Sequence, residues 1–586
     1  MDPTTPSGGF FRGGGRRGET SGVSASVRRA RRRRLGLILL AIMAVLPWLY
    51  VIGRTADARR NIVYWDEFDT ALTLILKLKE GLPAEGLIGE LFKLSNEHRM
   101  VTSRLLYVAS YWLTGTIDFA VIGAIGNATV LVLCLLLLAT AGTTLRRVRL
   151  AVLLAYLLFQ LEHYENYLWS GASIDHCQVV MLAAAAIVGL ARGTRGGLIA
   201  GGAFATLATL TLAHGMAVWP VGAAMLWHAR RRRALAAWGL FALFAVGGFF
   251  TGFKLNTAQV FVTVSFDGAW KVLHYWLSLL GAAPATGSPV FSAPAGAGLL
   301  ALIGYGAIRG GLRREAIALP LAVFAITAAG MIAVGRAAES GGEIFSRYYV
   351  LSALAWALAL FIVFERHTHP RRPLQVIGSA LPALIMFNIG ANREFSDETD
   401  SWLECRDRAV TAYNHYRVDG RGTFSLHPLP AHSTALLEKA ERLGVYRLGP
   451  VCLPEPFPAK AREVSRMHYF VDDFDVTADS ASLRGWVAIP GRRSRRGSIH
   501  IVLRAGREHH LFTAVAVSRP DVAMQNKRQD WKESGFHFAK RFDRLPTGDF
   551  QVGFLIEDGP RVEYMMTAHR LLLDGPRSKA LLATGK

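Results

Sequence analysis

Residues 28–53 read RRARRRRLGLILLAIMAVLPWLYVIG, six arginines in seven positions followed by nineteen residues without a charge. A helix rises 1.5 Å per residue, so about 20 apolar residues cross the hydrocarbon core of a bilayer. The arginine block sets the orientation of the run, because basic flanks stay on the cytoplasmic side. A cleaved secretory signal would end in a small-residue site after a shorter apolar core. The stretch therefore reads as an uncleaved first span. Residues 1–34, rich in Gly, Ser and Arg before it, read as a disordered basic cytoplasmic tail.

The pattern repeats along the chain. Of 586 residues, 51% are hydrophobic and only 19% charged, with a mean hydropathy of +0.27. Soluble proteins are nearer a quarter charged. Apolar runs recur at roughly 35–53, 117–141, 148–163, 175–191, 196–213, 215–229, 233–253, 295–308, 315–334, 348–364 and 373–390. With about eleven spans, the basic clusters at 145–149, 191–195, 228–233, 308–314 and 365–372 all share the side of the first. This arrangement accounts for much of the net charge of +22, so no nucleic-acid partner is implied. Residues 196–233 are basic at both ends. They read as two short helices hinged at Ala213–Gly215, with Gly215 giving the turn. The stretch 254–294 is ambiguous between an interfacial helix and an extra short span. The expected fold is a polytopic α-helical membrane domain at 35–390. A periplasmic helical linker region at 391–466 and a small β-sandwich at 467–575 would follow.

The opposite loops collect the unusual residues. Asp66, Glu67 and Asp69 sit in WDEFD (65–69), among aromatic rings. They suit a helix N-terminus, and equally a general base whose pKa is raised by apolar and like-charged neighbours. Two carboxylates could also hold a divalent metal. In NEHR (96–99) and just beyond it, Arg99 and Arg104 offer guanidinium forks to phosphate oxygens, beside Glu97 and His98. If this segment is helical, Asn96, Arg99 and Ser103 share one face. The stretch 162–176 carries Glu162, His163, Glu165, Asn166, Trp169, Asp175 and His176; His163 and His176 are too far apart for a zinc pattern. Arg336 and Arg347 flank a Gly-rich loop ending in SRYY (346–349) and, lying on the outer side, imply an anionic partner. The span interiors are almost free of charge, unlike those of many pumps and transporters.

WDEFD, EHR before the second span, ENYLW, HGMAVWP and SRYY, in this order and on one side, resemble bacterial GT-C superfamily membrane glycosyltransferases over residues 35–390. The resemblance implies a polyprenyl-phosphate-linked sugar as donor, a glycan or lipid acceptor, and a catalytic aspartate in the first outer loop, which by position is Asp66. Asp69 departs from the pattern as a third acid. No WWDYG-like element is present, which disfavours transfer to asparagine. On this reading Asp66, Glu67 and Asp69 are catalytic candidates. Arg99, Arg104, Arg336 and Arg347 would bind donor phosphate, and Glu97, His98, Glu165, Asn166, Trp169, His214 and Tyr348 substrate. The location would be a bacterial inner membrane, with the N-terminus cytoplasmic and the C-terminus periplasmic. The alternatives are a transporter or flippase of a lipid-linked glycan, or an envelope-assembly scaffold.

In the tail, SDETDSWLECRDRAVTAYNHY and HSTALLEKAERLG read as short helices, and alternating runs beyond residue 467 read as strands. A periplasmic tail would permit a Cys405–Cys452 disulfide.

Overall fold

The computed structural model describes residues 19–58, 60–253, 265–310, 317–337, 343–367, 374–420, 424–448, 454–455, 457–477, 480–492, 499–541, 547–558, 561–574 and 578–581. Among these residues, eight helices are long and apolar enough to cross a membrane. They are Ala30–Ala56, Phe119–Thr140, Ser170–Ala191, Arg232–Phe250, Pro289–Ile308, Ala318–Arg336, Ser346–His367 and Gln375–Asp407. The chain is a multi-pass helical membrane protein with a C-terminal β region.

Three of the eleven expected runs form shorter legs: Thr144–Leu158, Arg195–Thr211 and Val218–His228, of 15, 17 and 11 residues. At 1.5 Å per residue these reach about 22, 25 and 16 Å, short of a straight crossing. The hinge between the last two is a 3₁₀ turn at Ala213–Ala217. Gly215 serves it by closeness, since a β-carbon there would stand 2.1 Å from the Ala208 carbonyl oxygen. It does not take a left-handed φ. The ambiguous stretch contains a helix, Phe266–Gly281. Its Trp276 Nε1 donates to Ile326 O at 3.0 Å, and its Tyr275, Leu279 and Leu280 belong to the bundle core.

The basic loops meet at one end of the bundle. Arg149 Nη1 lies 2.7 Å and Arg146 Nε 3.3 Å from the Glu365 carboxylate. The Arg231 guanidinium rests on Gly193, and Leu374 covers Gly36.

The helix at the end of the bundle is longer than expected. Gln375–Tyr416 runs unbroken for 42 residues, so SDETDSWLECRDRAVTAYNHY continues the last apolar run instead of forming a short helix of its own. The helix Pro430–Leu443 follows. Its Leu437 and Ala440 pack with Tyr413, Leu426 and Tyr446 against Ile62, Phe68, Leu72 and Ile75, so the tail backs the loop at 60–70. In the β region, His468–Val476, Ser480–Ala488, Gly535–Arg541 and Val515–Val517 form a four-stranded sheet in that order. It faces a seven-stranded sheet across Phe536–Phe554 and Phe512–Phe538 ring contacts at 5.0 and 5.6 Å. The four-stranded sheet contacts the long helix through three of its strands. Cys452 lies outside the described residues, so its expected pairing with Cys405 does too.

Candidate functional site

The stretch 60–70 is held from both sides. Tyr446 OH accepts from Val63 N and donates to Asn61 O, both at 3.0 Å, and Trp65 N donates to Leu426 O at 2.9 Å. The helix that follows Asp66 opens with a wide π turn, Phe68–Leu72. Asp66 O accepts from Thr70 N and Oγ1 at 2.9 and 2.7 Å. No side chain caps this turn. The capping reading of the acidic cluster therefore applies to backbone geometry only. Trp65, Asn96 and Met100 all have φ near +50°. That region costs a non-glycine residue of order 1–3 kcal/mol. Arg230, Thr286, Arg417 and Lys527 take the same backbone region elsewhere in the chain.

A cavity of about 60 Å³ opens between these loops, and its walls include Asp66, Glu67, His98, Asp175, Arg336 and Arg347. The loops WDEFD, NEHR and SRYY thus converge. Asp66 is half-buried, and among the described residues no side chain donates to its carboxylate. Burial raises its pKa, Arg347 and Arg336 oppose the rise, and Asp69 adds to it.

Glu67 is in a different environment. It is buried, with Oε2 accepting from Tyr64 N at 2.9 Å and Oε1 from Ser170 Oγ. Burial pushes its pKa up to about 7 despite those donors. In the unfolded chain the group releases its proton near 4.5, so between the two values the folded state binds more protons. Stability from this group is therefore full below pH 4.5 and lost as pH rises through 7. The shift corresponds to about 3 kcal/mol. Thermal melts of wild type should fall between pH 5 and pH 8.5, and Glu67→Gln should flatten that slope. An equal slope in both proteins would contradict the assignment.

Arg347 Nη1 sits 3.1 and 3.3 Å from the two Glu165 oxygens, and its backbone N donates to Glu165 Oε2 at 3.0 Å. Its guanidinium lies over Phe345, Tyr348 and Trp169 at 4.4, 5.3 and 5.7 Å. Asn166 Nδ2 donates to Arg347 O at 2.9 Å. Arg336 Nη2 is 3.3 Å from Glu97 Oε2. Burial lowers the His98 pKa to about 3, so its ring is neutral. Its Nδ1 accepts from Ala213 N at 3.2 Å, which puts the proton on Nε2. His214 stacks on His176, with ring centroids 6.0 Å apart.

Seven of the fourteen expected site residues do not line the cavity: Glu97, Glu165, Asn166 and His214, which stand behind it, and Arg99, Arg104 and Asp69, which are engaged elsewhere. Arg99 donates to Phe92 O, Phe249 O and Thr251 O. Arg104 donates to Leu91 O, Lys93 O and Arg99 O. Both guanidiniums thus tie carbonyls in loops and at helix ends, and neither lines the cavity. Asp69 turns to the tail, with His432 Nε2 2.9 Å from Oδ1 and His427 Nε2 3.4 Å from Oδ2. NEHR is not helical either: Ser95 and His98 form a bridge, and the helix begins at Val101. The shared face of Asn96, Arg99 and Ser103 does not exist.

Two residues carry more than their motifs suggested. Asp175 accepts from Ser103 Oγ and lines the cavity next to His176; an acid and an imidazole side by side at the start of a span were its signal. Arg406 is buried over Tyr64 and Trp402 at 5.6 and 4.4 Å, donates to Leu168 O at 3.0 Å, and acts electrostatically on Glu67. Its sequence neighbourhood resembles any charged helix. Among the described residues, no group of three or more His, Cys, Asp or Glu has the geometry to hold a metal ion.

No protein-family model, curated protein or solved structure matches the chain.

Proposed function

We propose that the chain is a GT-C-type glycosyltransferase. It would move a sugar from a polyprenyl-phosphate carrier to a hydroxyl of a cell-envelope glycan or lipid, at the periplasmic face of a bacterial inner membrane. The observation that carries this reading is the meeting of Asp66 with Arg336 and Arg347 in one cavity, at the end of an apolar bundle away from its basic loops. A carboxylate and two guanidiniums at a lipid boundary suit an acceptor hydroxyl on one side and a lipid-linked phosphate on the other.

In this reaction the acceptor oxygen attacks the anomeric carbon as the bond from that carbon to the phosphate oxygen breaks. Asp66 takes the hydroxyl proton. Its raised pKa brings the base nearer to neutrality, where general bases work best. Arg347 and Arg336 stabilise the charge that gathers on the leaving polyprenyl phosphate. Trp169 offers a ring face to the sugar, and His98 Nε2–H a neutral donor.

Asp69 serves the scaffold through His432 and takes no part in the chemistry. Asp69→Asn should therefore change transfer less than about three-fold, a surface-scale effect. A loss comparable to that of Asp66→Asn would move the base to Asp69. The direct test is glycan and lipid mass spectrometry of a strain lacking the chain. The expected result is loss of one sugar from an envelope glycan or lipid, restored by the wild-type chain. An unchanged profile would overturn the reading.

A further inference from the structure

A second and larger cavity, about 490 Å³, opens at the basic end of the bundle. Val221, Met225, Ile303 and Val323 contribute apolar wall, and His228 and Arg231 stand among them. It arises where the 11-residue helix Val218–His228, the shortest of the legs, faces the ends of longer neighbours.

The charge at this cavity is one-sided. Among the described residues no carboxylate lines it. At the same end of the bundle Arg146 and Arg149 are both taken by Glu365. Among the described residues no carboxylate pairs with Arg231. Its exposed guanidinium lies over Gly193. Gly193 has a φ of +69°, a region that favours glycine, and the lack of a side chain there leaves room for the guanidinium. An apolar slot within a membrane helix bundle, beside a guanidinium that no carboxylate among the described residues neutralises, is complementary to a lipid that carries a phosphodiester and no compensating cation.

We propose that this cavity binds one anionic glycerophospholipid of the leaflet on the basic face, with an acyl chain in the slot and the phosphodiester at Arg231. The site is independent of the transferase reading, because it lies at the opposite end of the bundle and shares no residue with the first cavity.

Native mass spectrometry of the full chain, titrated with phosphatidylglycerol and phosphatidylcholine at equal concentration, tests this. Wild type should retain phosphatidylglycerol preferentially. Arg231→Gln should lower that preference roughly five-fold, the equivalent of about 1 kcal/mol for one guanidinium near the headgroups. Ala224→Trp, which fills the slot from its wall, should remove the first bound phosphatidylglycerol. Arg231 is exposed, so its substitution leaves the fold intact even if Ala224→Trp does not. Equal retention of the two lipids by wild type, or an unchanged preference in Arg231→Gln, would overturn the proposal. So would stronger retention of a polyprenyl phosphate than of phosphatidylglycerol in a parallel titration.

Discussion

Asp66→Asn should abolish sugar transfer, by a factor of about 10²–10⁴, while the protein remains folded. The size follows from loss of a general base, which contributes that much where proton removal accompanies bond formation. The intact fold follows from the local structure. What the helix start uses is the Asp66 backbone carbonyl, and among the described residues no side chain donates to the carboxylate. Asn keeps the shape and removes a charge whose burial is unfavourable. Stability should therefore be unchanged or slightly raised. The measurement is release of polyprenyl phosphate by purified wild-type and variant protein in liposomes, with melting temperature as the control for folding. Wild-type rates in the variant would remove Asp66 from the chemistry. Asp175 and Glu67 would then be the next candidates, since both carboxylates line the cavity and each accepts from a hydroxyl.

Arg347→Ala should act on both stability and function. The ion pair with Glu165 is largely buried, with 20% and 12% of the two side chains exposed. Removing one partner leaves the other charge without compensation, at a cost of about 3 kcal/mol. The functional loss should be separable from it. Arg347→Lys keeps a charge near Glu165 but not the planar fork or its stacking on Phe345, Tyr348 and Trp169. That variant should recover most of the stability while the apparent affinity for the lipid-linked donor stays at least ten-fold weaker. The double variant Arg347→Ala/Glu165→Ala should regain stability without regaining transfer. Full transfer by either variant would mean that Arg347 supports the loop and does not meet the phosphate.

The loop WDEFD shows how far residue types alone can lead. Its three acids, the arginines of SRYY and the basic clusters between apolar runs are all visible as local pattern. Their sidedness follows from hydropathy and charge, which are properties of short segments. The roles of Arg99 and Arg104 are not visible in that way. A guanidinium beside an outer loop looks the same whether it awaits a phosphate or is held by carbonyls. Arg99 meets Phe249 O, 150 positions away, only when the helix Arg232–Phe250 ends beside it. Asp69 is a similar case, since its partner His432 is 363 positions away. The break between Asn96 and Val101 was hidden because two residues there take a left-handed φ without being glycine.

What the sequence by itself determined is the class of molecule: an apolar multi-pass chain, its basic loops gathered apart from its acidic ones, and a β region after it. Those features depend on the transfer of residues between water and hydrocarbon, which is nearly additive along the chain. Only the tertiary structure decided which carboxylate and which arginines share a cavity, that residues 424–448 of the tail hold the loop at 60–70 in place, and that Arg231, with no carboxylate partner among the described residues, stands at an apolar slot. Those depend on pairwise contacts between distant segments, where one hydrogen bond taken elsewhere turns a candidate ligand into a strut.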